Sequence, residues 1–483
     1  MKRTAFWKCL WWVALLAPVS MGAVAQAGKA MDADKAQVIA HWTGERRAGA
    51  IPRDLVIDPR GLGYLKGKGG RLEPYGHGIV AQMSSGEPAP VPRAKPVGGD
   101  QTPPTITEMS PGQGAVINSA YTFSAKVTDA SGVKSVTFSL QKSGQVAQTF
   151  SAAKAVDGVT WSASLSGFSD GAWSWWVVAK DAAGKGGNTA TSAQVAFTVN
   201  TGGGGADVVG NAPWDSAGVV QYAAGRLYFE MPSNIRRTRW VGYVCSATVA
   251  ADDVTGHSTL VTAAHCVYDD ANKAFARNVM FIPNQDATTG AGTDLDCSND
   301  PIGCWVPSFG VVDINWTTRT FPDNIPWDYA FYVVADAGAH QGAAAGDVLD
   351  VAVIPMSISF GAVSHDVSGS ADYTHALGYS YSQDPNFMYC AEDMSTEGAD
   401  NWWLASCGLT GGSSGGPWVQ PMLPATGDGP VISVNSWGYT SQPGMAGPKL
   451  VGTSAHCVFE GARTSVLTTP TADGDAGVAV TCP

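Results

Sequence analysis

The sequence predicts an all-β protein, on three observations. Only 14% of its 483 residues are charged while 58 are glycine, a profile of short strands joined by turns. Apolar and polar residues alternate through Tyr121–Val127 and Val136–Leu140, with turn residues at Asp129–Gly132 and Ser143-Gly144, which is the period of half-buried strands. The chain is also too long for one hydrophobic core, so two or three folded units are expected.

Residues 1–27 read as a secretory signal. Lys2-Arg3 precede an apolar stretch through Trp11-Trp12-Val13-Ala14-Leu15-Leu16, and small residues follow at Ala23, Ala25 and Ala27. The run is too short to span a bilayer, so a secreted, extracellular protein is expected. Export would remove Cys9 and leave eight cysteines in an oxidising compartment, an even number suited to four disulfides. No Cys-x-x-Cys pair is present, and no metal or other cofactor is expected.

Residues 28–100 show no sustained periodicity and read as a pro-segment or a flexible arm, closing in a stiff proline-rich linker, Glu87–Pro96. Alternation returns over 101–200, and a Gly-rich hinge, 201–209, leads to a unit at 210–483. That last region is acidic: residues 206–483 hold 9 Lys/Arg against 28 Asp/Glu, whereas 28–100 hold 11 against 8. Such a field disfavours nucleic acid and anionic membranes as partners and enriches cationic substrates nearby. In size and strand spacing, 101–200 matches an immunoglobulin-like or fibronectin-like sandwich. Its Trp161–Leu165 and Asp170–Asp181 stretches resemble the bacterial immunoglobulin-like domains of exported proteins. The resemblance implies a spacer or a surface-docking module, with Trp173 and its neighbours as packing residues.

Two motifs in the last unit carry chemistry. Leu260-Val261-Thr262-Ala263-Ala264-His265-Cys266 ends an apolar strand in a histidine beside a cysteine, with Tyr243-Val244-Cys245-Ser246-Ala247 upstream. A Cys245–Cys266 bridge would stabilise by roughly 3 kcal/mol and pin the histidine turn. Gly411-Gly412-Ser413-Ser414-Gly415-Gly416-Pro417 sets a serine among glycines, where the backbone turns sharply enough for amides and hydroxyl to face one point.

Together these motifs resemble those of trypsin-like (chymotrypsin-fold) serine peptidases, most closely the bacterial secreted glutamyl-endopeptidase-like branch. The resemblance covers about 210–465 and implies a two-barrel peptidase domain with the chain order His, Asp, Ser. Asp328, in Trp327-Asp328-Tyr329-Ala330-Phe331, fits the aspartate's place; Asp313, Asp323 and Asp336 compete without the following aromatic-Ala-apolar pattern. The implied catalytic residues are His265, Asp328 and Ser414, with an oxyanion hole from the amides of Gly412 and Ser414. Ser433–Gly438 resembles the specificity strand that pairs with an extended substrate, so Leu409, Asn435, Ser436, Trp437 and Gly438 are substrate-binding candidates. Family likeness pairs Cys245 with Cys266 and Cys390 with Cys407; proximity pairs Cys297 with Cys304 and leaves Cys457 with Cys482. Thr453–Cys457 mimics the histidine motif but follows the serine, so His456 is read as a surface or structural residue, as are His257, His340, His365 and His375.

The pattern departs from trypsin at two places. Ser413 stands where an aspartate would pair with a freed N-terminus, so a zymogen would be activated by unblocking, through loss of residues 28 to about 205. No acidic residue lies near Gly408 and Leu409, and Asn435 replaces the glutamyl branch's histidine, so neither trypsin-type nor Glu preference is expected. The expected activity is that of a monomeric serine endopeptidase acting on proteins or peptides, with surface or matrix docking through the sandwich. The rival readings are an inactive peptidase-fold binding protein and a triad esterase.

Overall fold

Strand accounts for 45% of the described residues and helix for 14%, in agreement with the all-β expectation. The computed structural model describes residues 34–67, 70–76, 102–199 and 208–483, apart from 114, 118–119, 155–157, 167, 170, 184–186, 290–295, 339, 342–347, 362, 364–371 and 466–473. The expected signal sequence, proline-rich linker, residues 201–207 of the expected glycine hinge and His365 lie outside the described residues; Val209, the hinge's last residue, already opens the strand Val209–Pro213.

Residues 105–199 form two packed sheets with their own core. The strand Gly171–Asp181 pairs antiparallel with Val133–Lys142, setting Trp175 against Leu140, Val177 against Phe138 and Ala179 against Val136. Because successive side chains alternate faces, these residues are fully buried and pack on Phe123 and Phe197. The most deeply buried tryptophan of this core is Trp175, whose indole donates to the Pro111 carbonyl at 3.0 Å. Trp173 packs at the edge, on Phe168 and Phe197.

Most other buried apolar residues build a second, larger core shared by three sheets, with two smaller clusters around Trp418 and Trp42. An eight-stranded sheet includes Ala224–Pro232, Trp240–Ala250, His257–Thr262 and Ala330–Ala335. A five-stranded sheet includes Tyr373–Gly378, Met388–Asp393, Pro417–Val419 and Val431–Val434, and a seven-stranded one carries Trp437–Tyr439. Their hydrogen-bonding paths are open among the described residues. Disulfides join Cys245 to Cys266, Cys297 to Cys304, Cys390 to Cys407 and Cys457 to Cys482, the pairing the sequence suggested. No helix among the described residues is long and apolar enough to cross a membrane.

Within the expected pro-segment or arm, residues 34–67 and 70–76 are folded onto the larger core. Residues 34–41 and Gly44–Gly49 are helical, with Thr43 capping the second helix. Asp54–Ile57, Gly63–Lys66 and Leu72–Pro74 then add three strands to the seven-stranded sheet, and Ile51–Pro52 pairs with Trp240–Ala250. Leu55, Ile57 and Tyr75 belong to the large core. Charged anchors hold the segment from inside: Arg47 pairs with Asp300 at 3.3 Å, and fully buried Arg53 pairs with Asp269 at 3.0 Å between the rings of Tyr75 and Tyr243. Periodicity failed here for a physical reason: Leu55-Val56-Ile57 lies between strands and under a cover, so consecutive side chains are all buried and no alternation results.

The separate cores predict separate unfolding. Trp175→Ala should cost the sandwich roughly 3–5 kcal/mol and lower one of two calorimetric transitions while leaving the other unmoved; a shift of both would contradict two cores.

Candidate active site

His265 and Asp328 are brought together by neighbouring strands. Thr262 pairs with Ala330 in the antiparallel ladder between His257–Thr262 and Ala330–Ala335, so the turn that ends one strand lies beside the turn that begins the other. The histidine sits in the single 3-10 turn Ala264–Cys266, tied down by the Cys245 bridge, by Tyr332, whose hydroxyl donates to the Cys266 carbonyl at 2.9 Å, and by Arg53, whose Nε donates to the His265 carbonyl at 2.7 Å.

Asp328 is buried and accepts three hydrogen bonds. Its Oδ1 takes the His265 amide at 2.8 Å, and its Oδ2 takes His265 Nδ1 at 2.8 Å and the Ser436 hydroxyl. A carboxylate facing Nδ1 selects the tautomer with the proton there, which leaves the Nε2 lone pair as the acceptor. That Nε2 is buried and has no partner among the described residues.

The Ser414 loop is packed directly under the histidine turn. Ser246 donates from its amide to the Ser414 carbonyl at 2.7 Å and from its hydroxyl to the Gly412 carbonyl at 2.9 Å. Asn435, fully buried, donates to the Ser413 and Leu377 carbonyls at 3.0 and 2.8 Å and accepts from the Trp418 indole at 2.8 Å. Gly415 has φ +80°, and a Cβ there would lie 2.1 Å from Thr262 Oγ1 and 2.4 Å from the Ser246 carbonyl oxygen. Gly416 is as restricted, 2.1 Å from the Leu377 oxygen. The amides of Gly412 and Ser414 donate to no group among the described residues.

One groove edge is occupied by the chain itself. Leu55, Val56 and Ile57 pair in parallel with Trp437, Gly438 and Tyr439. Just before them, the Arg53 carbonyl accepts the Ser414 hydroxyl at 3.4 Å. Pro52 and Asp54 lie against Gly411. Burial pushes the Asp54 carboxyl up to about 6, with Lys66 and His265 offsetting part of the rise. Past Ile57 the groove widens into a hollow lined by Tyr439, Ile325, Asp323, Glu397 and Asp400.

Several sequence candidates take other roles. Leu409 packs with Trp402, Trp418 and Met445 in a core cluster rather than lining the groove. Asn435 and the Ser436 side chain face the Ser414 loop and Asp328; only the backbone at Trp437 and Gly438 meets an extended strand. Of the competing aspartates, Asp313 caps a short helix, accepting from the Asn315 amide at 2.7 Å, and Asp336 lies at the far end of the strand Asp328 precedes. Asp323 lines the hollow. His456 is on the exposed face of helix Ala455–Thr464, 3.6 Å from Glu460 and stacked on Phe360. Burial lowers His340 to about 3 and His375 to about 4, and His257 opens the strand that leads to His265. Sequence reasoning missed Ser246, whose signal was its place after Cys245, and Arg53 and Asp54, whose buried run carried no period.

No family model and no curated protein matches the chain. Among solved structures, an engineered protein aligns at 26% identity over 20% of each chain, with TM-score 0.17. An endo-β-1,4-mannanase from Thermotoga petrophila aligns at 15% identity over 21% of each chain, with TM-score 0.18. The fibronectin(III)-like modules of Clostridium thermocellum CbhA align at 19% identity over 20% of this chain and 97% of theirs, with TM-score 0.16. Scores this low carry no argument about the chain's fold or activity.

The close approach at Gly415 predicts that Gly415→Ala lowers stability by at least about 2 kcal/mol, because one obstructing atom is backbone and cannot rotate away; calorimetry showing an unchanged melting temperature would contradict the packing described. Asp54 predicts a pH dependence. A carboxyl raised from its ordinary 3.8 favours the protonated, docked state, so docking is strongest below about pH 4 and weakens as pH rises through about 6. Amide exchange of Leu55–Ile57, corrected for its intrinsic pH dependence, should lose protection across that window in the wild type and not in Asp54→Asn.

Proposed function

We propose that the chain is an exported serine endopeptidase of the trypsin-like kind, with His265, Asp328 and Ser414 as its catalytic residues. The observation that carries this reading is the buried Asp328–His265 pair with an unpartnered Nε2, set in a turn packed on the Ser414 loop. The three sheets of the larger core correspond in this reading to the peptidase domain's two barrels, and the sandwich to an immunoglobulin-like accessory module that docks the enzyme to a surface. The four disulfides are in keeping with export.

The chemistry is acyl transfer. His265 Nε2 accepts the Ser414 hydroxyl proton as Oγ attacks a peptide carbonyl, and Asp328 stabilises the imidazolium that forms. The free amides of Gly412 and Ser414 are the donors for the tetrahedral oxyanion. His265 then gives its proton to the leaving amine, and water, activated in the same way, releases the acyl group from Ser414. Ser436 is a positioning residue: its hydroxyl holds the Asp328 oxygen that faces His265. An extended substrate adds as a strand along Trp437-Gly438, gaining main-chain hydrogen bonds with little demand on its side chains.

The test is covalent labelling with a serine-directed fluorophosphonate together with casein hydrolysis, on protein in which Asp54–Ile57 has been released. Ser414→Ala abolishes both, and Asp328→Asn lowers hydrolysis by about four orders of magnitude while preserving the fold. Labelling without casein cleavage would mean an esterase, and casein cleavage that survives Ser414→Ala would exclude the assignment.

A further inference from the structure

The strand Asp54–Ile57 lies on the edge that an extended substrate would need, and its direction is informative. From the Arg53 carbonyl, beside Ser414, the chain runs in the N-to-C sense along Trp437 to Tyr439. If this carbonyl were attacked, the residues paired with Trp437–Tyr439 would be those of the departing amine. An acyl-enzyme needs the opposite arrangement, because only the acyl side stays bound through both half-reactions and can be held by the strand throughout.

The nucleophile is disengaged as well. Ser414 Oγ donates to the carbonyl oxygen of Arg53, so its proton points at the occupant while His265 Nε2 has no partner among the described residues. The occupant is fixed from behind. Arg53 is fully buried, donating to Tyr75 at 2.9 Å and to Asp269 at 3.0 Å, and Leu55 is fully buried in the core. We infer that Ile51–Ile57 is a tethered peptide inhibitor that fills the substrate groove in the sense opposite to a substrate, and that the groove accepts a free peptide of this sequence in the same sense.

The inference rests on the peptidase reading and goes beyond it: it names the groove's ligand, an extended apolar strand preceded by arginine, and explains why the chain does not cut it. Tethering supplies a high effective concentration, so even modest intrinsic affinity keeps the groove closed.

The test uses the full chain. Ile57→Pro removes a backbone donor on the side of the strand that faces Trp437–Tyr439, and Asp54→Lys places a longer side chain between Gly411 and His265; the second variant serves if the first fails to fold. Fluorophosphonate labelling of Ser414 should rise about 100-fold in either variant, as for a groove open in about 1% of wild-type molecules. A synthetic peptide of residues 50–58 should slow labelling of the variant again and be recovered uncut, while a peptide of the same residues in reverse order should be cleaved. Wild type labelling as fast as both variants, or cutting of the 50–58 peptide at Arg53–Asp54, overturns the inference and leaves the peptidase reading standing. A folded variant that never labels overturns both.

Discussion

Asp328 is a buried carboxylate with three donors aimed at it, and the two parts of the site meet there. Its hydrogen bonds reach the amide and ring of His265, at the end of the eight-stranded sheet, and the hydroxyl of Ser436, at the start of the strand Trp437–Tyr439 in the seven-stranded sheet. A carboxylate so placed gains from each charge-assisted bond, and losing it would leave buried donors without acceptors. The imidazole orientation, the register of the groove edge and the separation of the two sheets at this point are set by that one group.

The Ser414 loop is organised differently, by close approach of backbone. Gly415 and Gly416 let it pass within contact distance of Ser246, Thr262 and Leu377, and Ser246 and Asn435 take up the carbonyls of Gly412, Ser413 and Ser414. With those carbonyls bound, the amides of Gly412 and Ser414 remain available to a ligand. Rigidity of this kind suits transition-state stabilisation, since preorganised donors need no rearrangement when charge develops.

The legible parts of the sequence were those where chemistry demands a particular residue at a particular spacing. Histidine beside cysteine at a strand end, serine among glycines, and aspartate before an aromatic-Ala-apolar run are not interchangeable with other residues, so His265, Ser414 and Asp328 stood out. The sandwich was legible because its strands each bury one face. The N-terminal strands were not, because Leu55-Val56-Ile57 is covered on both sides and its arginines are anchored by acids more than two hundred residues away. Asn435 stands at a substrate-contact position of the motif, but a motif position says nothing of which way the side chain turns; its amide satisfies the backbone beside Ser414 instead.

The described residues of 34–76 and 208–483 thus share the larger core, with the sandwich between them in sequence, and the site lies where the two pieces meet. All of it depends on the ring of His265 presenting Nε2 as an acceptor. Nitrogen-15 NMR of histidine-labelled protein measures that tautomer directly: the neutral His265 ring should carry its proton on Nδ1, and should lose that preference in Asp328→Asn. A wild-type His265 protonated on Nε2 would contradict the account, since such a ring could not take the proton of Ser414.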